Sequence, residues 1–305
     1  MATKRKRNKK PGKGSRIALR VFFALSLAVA LILGAGALNA NVVRIRRADV
    51  ALRDLPPAFD GTTALFASDI DLMGLNTPEK AAALFENLQS LKPDLLLLGG
   101  DYSASSLLEI LNRTGETEAG LSKKRGARTD FFHYIRGFDA PLGKYAVAAP
   151  EDADWDDLSA AMRDSGIEPL FNQRAEVRRD GASIYLAGVC EESAGLNSAG
   201  RTFSRDDCVL TLAYSPAVLP VLLTSEAADG GQWSDLTLCG HTHGGQVRLF
   251  GRSALPLQRQ EQLNLSGWVR EAGQPILITQ GVGCEGLNLR LGSAPEVWLI
   301  TLRRA

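Results

Sequence analysis

The stretch "GHTHGGQVRLFG", residues 240–251, holds two of the three histidines in this 305-residue chain. It follows the apolar run "SDLTLC", residues 234–239. The glycines around His241 and His243 allow a sharp turn and close backbone approach, so both imidazoles can face one point. The third histidine, His133, lies in "FFHYI" and reads as aromatic packing.

Other polar groups end other apolar runs. Asp69 and Asp71 follow "TTALFAS" (62–68), Asp101 follows "DLLLLGG" (94–100), and Glu151, Asp152 and Asp154 follow "KYAVAAP" (144–150). One such Asp alone is commonly a turn former or a helix N-cap. Together they stand where open α/β sheets build their sites, outside the carboxyl ends of the strands. Carboxylate oxygens and imidazole nitrogens in one place suit zinc, manganese or iron.

The runs are strands by length and composition. "TPEKAAALFENLQSLKP" (77–93) reads as a helix with Thr77 as N-cap and Pro78 at its first position. It joins 62–68 to 94–101 as a strand–helix–strand unit, so those strands are expected to be parallel. Residues 103–129 read as a polar, mobile insertion, 130–138 as a short helix and 155–165 as another. Further strands are expected at 144–149, 182–189, 208–214, 219–224, 235–239, 245–250, 275–279 and 296–302. The class is α/β.

The formal charge of +1 conceals an uneven distribution. Nine of the 35 basic residues lie in the first twenty positions with no acid, leaving 26 bases against 34 acids, a balance of −8. An acidic body argues against nucleic acid as a partner. From Val21 to Val43 there is no charge, and a basic flank before an apolar span is the positive-inside pattern. The expected organisation is a basic cytoplasmic segment (1–20), a transmembrane anchor (21–40), a polar connector (41–60) and an extracytoplasmic domain (61–305). Ala35-Gly36-Ala37 also fits a signal-peptide cleavage site, so a removed leader stays open beside a retained anchor. The four cysteines contain no CxxC pair. Cys190–Cys208 is one candidate disulfide, and four separate core thiols are the alternative.

"GHTHGGQVRLFG" resembles the last signature of the calcineurin-like metallophosphoesterases, in particular their membrane-anchored bacterial branch. The order of the other stretches matches: "ASDIDLMG" at the family's Asp-x-His, "GGDYS" at its Gly-Asp, "YAVAAPEDAD" at its Gly-Asn-His-Asp, and "VLLTSEAAD" where a strand ends in His. "ILITQGVGCEGLNLRLGSAPEVWLITL" resembles the closing segment. Over residues 60–303 the resemblance implies a four-layer α/β sandwich, two sheets flanked by helices, with a metal site at the strand ends. It implies one or two divalent ions (manganese, magnesium, zinc or iron) held by Asp69, Asp71, Asp101, His241 and His243, and a phosphate-ester substrate.

The pattern also departs from the family. Asp71 offers oxygen where the family has imidazole, favouring harder ions such as manganese or magnesium. Pro150 replaces the Asn ligand and Ser225 the His ligand of the second metal, and Glu226 beside Ser225 is a substitute carboxylate to consider. Glu151 stands at the proton-donor position, the candidate catalytic residue. An atypical, mononuclear phosphoesterase and a catalytically inactive binding or scaffold domain of the same fold are both consistent with these departures. The Asp-x-Asp of "LFASDIDLM" also resembles the nucleophile loop of haloacid-dehalogenase-type phosphatases. That family has Thr or Val where Met73 stands, and it lacks the GHTH motif.

Overall fold

The computed structural model describes residues 13–105, 117–152, 154–190, 200–253 and 255–305. Two six-stranded mixed sheets carry the chain. The first runs β1 (Arg44–Leu52), β14 (Glu296–Arg304), β2 (Thr63–Ala67), β3 (Leu95–Leu98), β4 (Lys144–Ala146) and β5 (Glu168–Pro169) in spatial order. The second runs β12 (Gly267–Glu271), β13 (Gln274–Ile278), β9 (Leu236–Cys239), β8 (Val209–Ala213), β7 (Ala182–Val189) and β6 (Arg174–Arg179).

The sheets pack face to face, and the two-residue period of the strands sorts their side chains. Leu210 and Leu212 of β8 and Leu236 and Leu238 of β9 join the core shared with Leu65, Leu97 and Ile300 of the first sheet. Val209, Ala213 and Cys239 face the other way, into a smaller core with Phe203, Val218 and Trp233. All four leucines of β3 are fully buried, as in a strand covered on both faces. Each contributes about 1.5–3 kcal/mol of transfer free energy. Helices α2 (Pro78–Leu88), α3 (Glu118–Tyr134) and α4 (Trp155–Asp164) pack on one another beside the first sheet. In α2, Thr77 accepts from the Lys80 N–H, and Ala81, Phe85 and Leu88 form the buried stripe. This is the four-layer α/β sandwich expected from the sequence.

β2, β3 and β4 are mutually parallel, as are β7, β8, β9 and β13. The carboxyl ends of β2, β3, β9 and β13 carry the site described below.

Several expectations are corrected. Residues 41–60, read as a connector, contain β1, which pairs parallel with β14 over Arg44–Leu52. The segment 103–129 includes most of α3, opened by Thr117, whose side chain accepts from the Gly120 N–H; residues 106–116 lie outside the described set. Residues 219–224 are helical, not a strand: Ser215 caps a 3-10 turn at Pro216–Val218 that runs into helix α5 (Leu219–Leu222), and Pro220 sits in its first turn. Residues 245–250 supply only a two-residue strand, β10 (Arg248–Leu249), paired with β11 (Arg252–Ser253). His133 is exposed on α3, and Phe131 and Phe132 do the packing. All four cysteines are free thiols, and Cys190, Cys208 and Cys239 are buried.

Helix α1 (Lys13–Asn39) contains a 21-residue stretch, Leu19–Asn39, in which an 18-residue window has mean hydropathy 2.5, long and apolar enough to cross a bilayer.

Candidate metal centre

The loops that leave β2 and β3 run together. Asp69 N–H donates to the Gly100 carbonyl (3.0 Å), Asp71 N–H to that of Asp101 (3.2 Å) and Leu72 N–H to that of Tyr102 (2.8 Å). Asp69, Asp71, Asp101, His241 and His243 all adopt positive φ, between 50° and 71°. Such backbone is uncommon outside glycine, and clustering of this kind marks sites whose surroundings over-determine the conformation. Tight neighbours supply that constraint. A Cβ at Gly240 would collide with the Ser68 hydroxyl and one at Gly283 with Asp71, so glycine is required where the second sheet's loops press on the first.

These turns bring Asp71, Asp101 and His243 into one buried group whose ligand atoms lie within 4.8 Å of one another. His243 is wedged between the carboxylates, Nδ1 3.3 Å from Asp71 Oδ2 and Nε2 3.7 Å from Asp101 Oδ2. Asp69 stands beside them, its Oδ1 accepting from the His241 N–H (2.7 Å) and the Ser68 hydroxyl (3.0 Å). His241 directs Nδ1 toward Asp101 Oδ2 (3.7 Å) and Nε2 toward Glu261 Oε1 (3.5 Å).

The electrostatics are severe. Asp71 is 1% exposed, and neither of its oxygens has a hydrogen-bond donor among the described residues; the same holds for Asp69 Oδ2. Burial, then the charges of Asp101, Glu285 and Asp69, push the Asp71 carboxyl well above the usual range. Burial raises Asp69 as well, partly offset by His243. Burial also acts to raise Asp101, but the imidazoles of His241 and His243 outweigh it and hold that carboxyl low.

Four supporting residues were not assigned from the sequence. Asp152 is fully buried and accepts from the backbone N–H groups of Asp101 (3.0 Å), Tyr102 (2.8 Å) and Ala149 (2.8 Å), which fixes the Asp101 loop. Burial and the Asp101 charge raise its pKa to about 7. Gln246 pairs reciprocally with the backbone of Glu285, donating to its carbonyl (2.8 Å) and accepting its N–H (2.8 Å). Arg290 is fully buried and donates to the carbonyls of His243 (2.7 Å), Gln280 (2.6 Å) and Gly283 (3.1 Å from Nε). Glu261, on the short helix α6 (Arg259–Leu263), accepts from the Ser215 hydroxyl (2.6 Å) and the Gln258 N–H (2.7 Å). The Gln that closes "GHTHGGQ" was a visible signal for Gln246, and Asp152 lay in a flagged acidic cluster. Glu261 and Arg290 had no local signal.

The positions expected to hold a second ion are occupied otherwise. Ser225 is buried, donating to the Leu222 carbonyl (2.7 Å) and accepting from Trp233 Nε1 (2.7 Å). Pro150 and Glu226 are exposed. Glu151 lies in the 3-10 turn Pro150–Asp152, and its side chain is outside the described set.

No protein-family model matches the chain. Phosphodiesterase YaeI of Escherichia coli is 29% identical over 213 residues, covering 69% of this chain and 71% of that protein. An uncharacterised metallophosphoesterase of Aquifex aeolicus is 23% identical over 281 residues, 90% of this chain and 98% of its own length. A transmembrane protein with metallophosphoesterase domain from Danio rerio is 24% identical over 274 residues, 84% of this chain and 56% of its own. These relatives carry the names metallophosphoesterase or phosphodiesterase, so the chain is similar in sequence to the metallophosphoesterase family whose calcineurin-like signature its GHTH stretch resembles.

Proposed function

We propose that the chain is a membrane-anchored, metal-dependent phosphoesterase with its domain outside the cytoplasm, built around one divalent ion held by Asp71, Asp101 and His243. The observation that carries this reading is the Asp71 carboxylate, 1% exposed with no donor to either oxygen and set against Asp101 and His243. A buried carboxylate of this kind calls for a cation or a proton. Aspartate oxygens with one imidazole suit manganese, magnesium, zinc or iron. A bound ion would supply Lewis-acid polarisation of a phosphoryl oxygen.

The chain's own residues do the rest. Asp152 and Arg290 hold the Asp101 and His243 loops in place. Asp69 fixes the entry to the histidine turn through the His241 N–H. His241 flanks the reaction side of Asp101, with Glu261 behind its far nitrogen. Glu151 is the residue we assign to protonating the leaving group. The phosphate ester approaches from outside the strand ends, where the loops after β2, β3, β9 and β13 converge.

A second reading, a binding domain without turnover, is favoured by Ser225, whose hydroxyl is committed to Trp233 and Leu222. One experiment tests both. Metal content is measured on purified protein and on His243→Ala, together with hydrolysis of an aryl phosphodiester and monoester across magnesium, manganese, zinc and iron. Near one equivalent of metal and turnover, both lost in His243→Ala, is expected. Metal bound without turnover of any substrate favours the second reading, and less than one equivalent of every ion refutes both metal-holding versions.

A further inference from the structure

The end of α1 is docked on the domain. Gly36 and Ala40 are buried and Asn39 half-buried, while Ala35 before them and Ala37 and Leu38 between them are exposed. The i, i+3, i+4 spacing makes one contact face. The Gly36 carbonyl accepts from the Arg290 N–H (3.1 Å), and Asn39 Nδ2 donates to the carbonyls of Arg290 (3.1 Å) and Ser293 (2.8 Å). A Cβ at Gly36 would lie 2.7 Å from Leu289 Cδ1 and Leu291 Cδ2, so the helix backbone itself rests on the segment. Asn41 then accepts from Lys80 Nζ (2.7 Å) and Asn288 (3.3 Å), and β1 begins at Arg44. Four residues between helix and strand leave no tether. Of the sequence that fits a cleavage site, Ala35-Gly36-Ala37, the central glycine is here packed against the domain.

The same segment borders the metal centre. Arg290, whose backbone N–H meets Gly36, reaches with its side chain to the carbonyls of His243 and Gly283. Beside it project apolar side chains that are largely exposed among the described residues. Leu287 is 50% exposed and Leu75 68%, and both line one cavity of about 290 Å³ with Met73, Cys284 and Asn288. Leu38 and Val42 at the helix end are exposed too. On β1, next to the anchor, Arg44, Arg46 and Arg47 are exposed. Apolar tips flanked by arginines, continuous with a membrane-spanning helix, match the headgroup–acyl boundary of an anionic bilayer.

We propose that the turns 73–76 and 284–288 rest on the bilayer surface around the anchor, so that the metal centre faces phosphate esters carried by membrane lipids. This rests on the anchored phosphoesterase reading and names its substrate class.

The test uses the full chain in lipid nanodiscs. A bimane fluorophore is placed at Leu75→Cys, Leu287→Cys or, as a control on the exposed loop before β8, Asp206→Cys, each with Cys284→Ser, since the other three cysteines are buried. Quenching by doxyl-labelled lipid of about half or more at 75 and 287, and little at 206, is expected for groups at interfacial depth. Equal quenching at all three positions overturns the surface. The unlabelled double variant Leu75→Asp/Leu287→Asp is then assayed on phosphatidic acid vesicles and on a soluble aryl phosphodiester. Loss on vesicles of about tenfold with the soluble rate kept is expected, because only the bilayer-borne substrate needs the apolar contact. Equal loss on both overturns the lipid assignment. Intact quenching with no hydrolysis of either substrate by the parent chain refutes the enzyme while leaving the surface standing, so the two failures are distinguishable.

Discussion

Replacing Arg290 with methionine tests whether one buried side chain holds the site together. Arg290 is fully buried, and its donors go to backbone carbonyls: His243 in the histidine turn, Gln280 and Gly283 in the loop after β13. Methionine fills much of the volume and donates nothing. Three buried carbonyls would lose charge-assisted donors at about 1–1.5 kcal/mol each, a total of about 3–5 kcal/mol. For a domain of this size that lowers the Tm by roughly 6–20 °C. Arg290→Lys, able to reach one or two of the carbonyls from a single nitrogen, should recover part of the loss. The assay is thermal unfolding in detergent followed by tryptophan fluorescence, alongside metal titration. Metal affinity should fall with stability, because the same carbonyl bond positions His243. A Tm for Arg290→Met within about 3 °C of the parent chain would refute the reasoning, since it would mean that the three carbonyls are satisfied without the guanidinium.

Other perturbations separate stability from chemistry. Asp235, beside β9, has its pKa raised from 3.8 to about 7, chiefly by burial. The folded chain therefore keeps this proton up to about pH 7 while the unfolded chain releases it near pH 4, so the group's contribution to stability is lost as pH rises through that window. Asp235→Asn, which still accepts the Val209 N–H, should raise stability at pH 8 by about 1–2 kcal/mol, the full shift discounted for partial exposure, and by nothing at pH 4; a gain that is equal at both pH values contradicts this. Glu261→Gln should move the imidazole ¹⁵N shifts of His241 and leave those of His243 in place, because only His241 has Glu261 at its Nε2. With three histidines in the chain the assignment needs only a His241→Ala spectrum, and unchanged His241 shifts argue against an orienting role. Ser225→His, which restores the family's ligand type, should destabilise the domain by about 2–4 kcal/mol in thermal melts without adding a metal equivalent, because Trp233 Nε1 loses its acceptor and the site is packed; a second equivalent of bound metal is the opposite result.

What the sequence showed depends on where each element sits. The central strands β2, β3 and β9 are short, mostly apolar runs, and the Asp or His residues that follow them were visible because burial on both faces leaves no charged position within the strand. The edges were missed. β1 and β5 close the first sheet, β12 and β6 the second, and none was expected as a strand. "RIRRADVAL" carries arginines because one side of β1 pairs with nothing, and such edges are kept polar. Helix α3 was unreadable over its first turns for a related reason: of its seventeen residues only Arg128, Phe131 and Phe132 are buried, all toward its end. Glu261 and Arg290 act across 20 and 47 residues of sequence on the histidine turn, and no local pattern reports such contacts.

The two halves of the site that the family resemblance implies differ in a way that local packing explains. Where the expected ligand residues are present, they also do structural work that does not depend on an ion: Asp69 holds the His241 N–H, and the Asp101 backbone is held by Asp152. Where Ser225 and Pro150 stand at expected ligand positions, both are part of the surrounding structure. Ser225 ties the end of α5 to Trp233, which stacks on Phe203 at a centroid distance of 5.3 Å in the smaller core. Pro150 opens the turn that delivers Asp152 to the Asp101 loop. Holding a second ion at these positions would thus require dismantling a core contact on one side and reshaping a loop anchor on the other. Asp71 points the opposite way: a buried carboxylate without donors contributes nothing to the fold that a neutral residue would not supply at lower cost. Packing accounts for Ser225 and Pro150, but it leaves Asp71 unexplained unless a cation or a proton is held there.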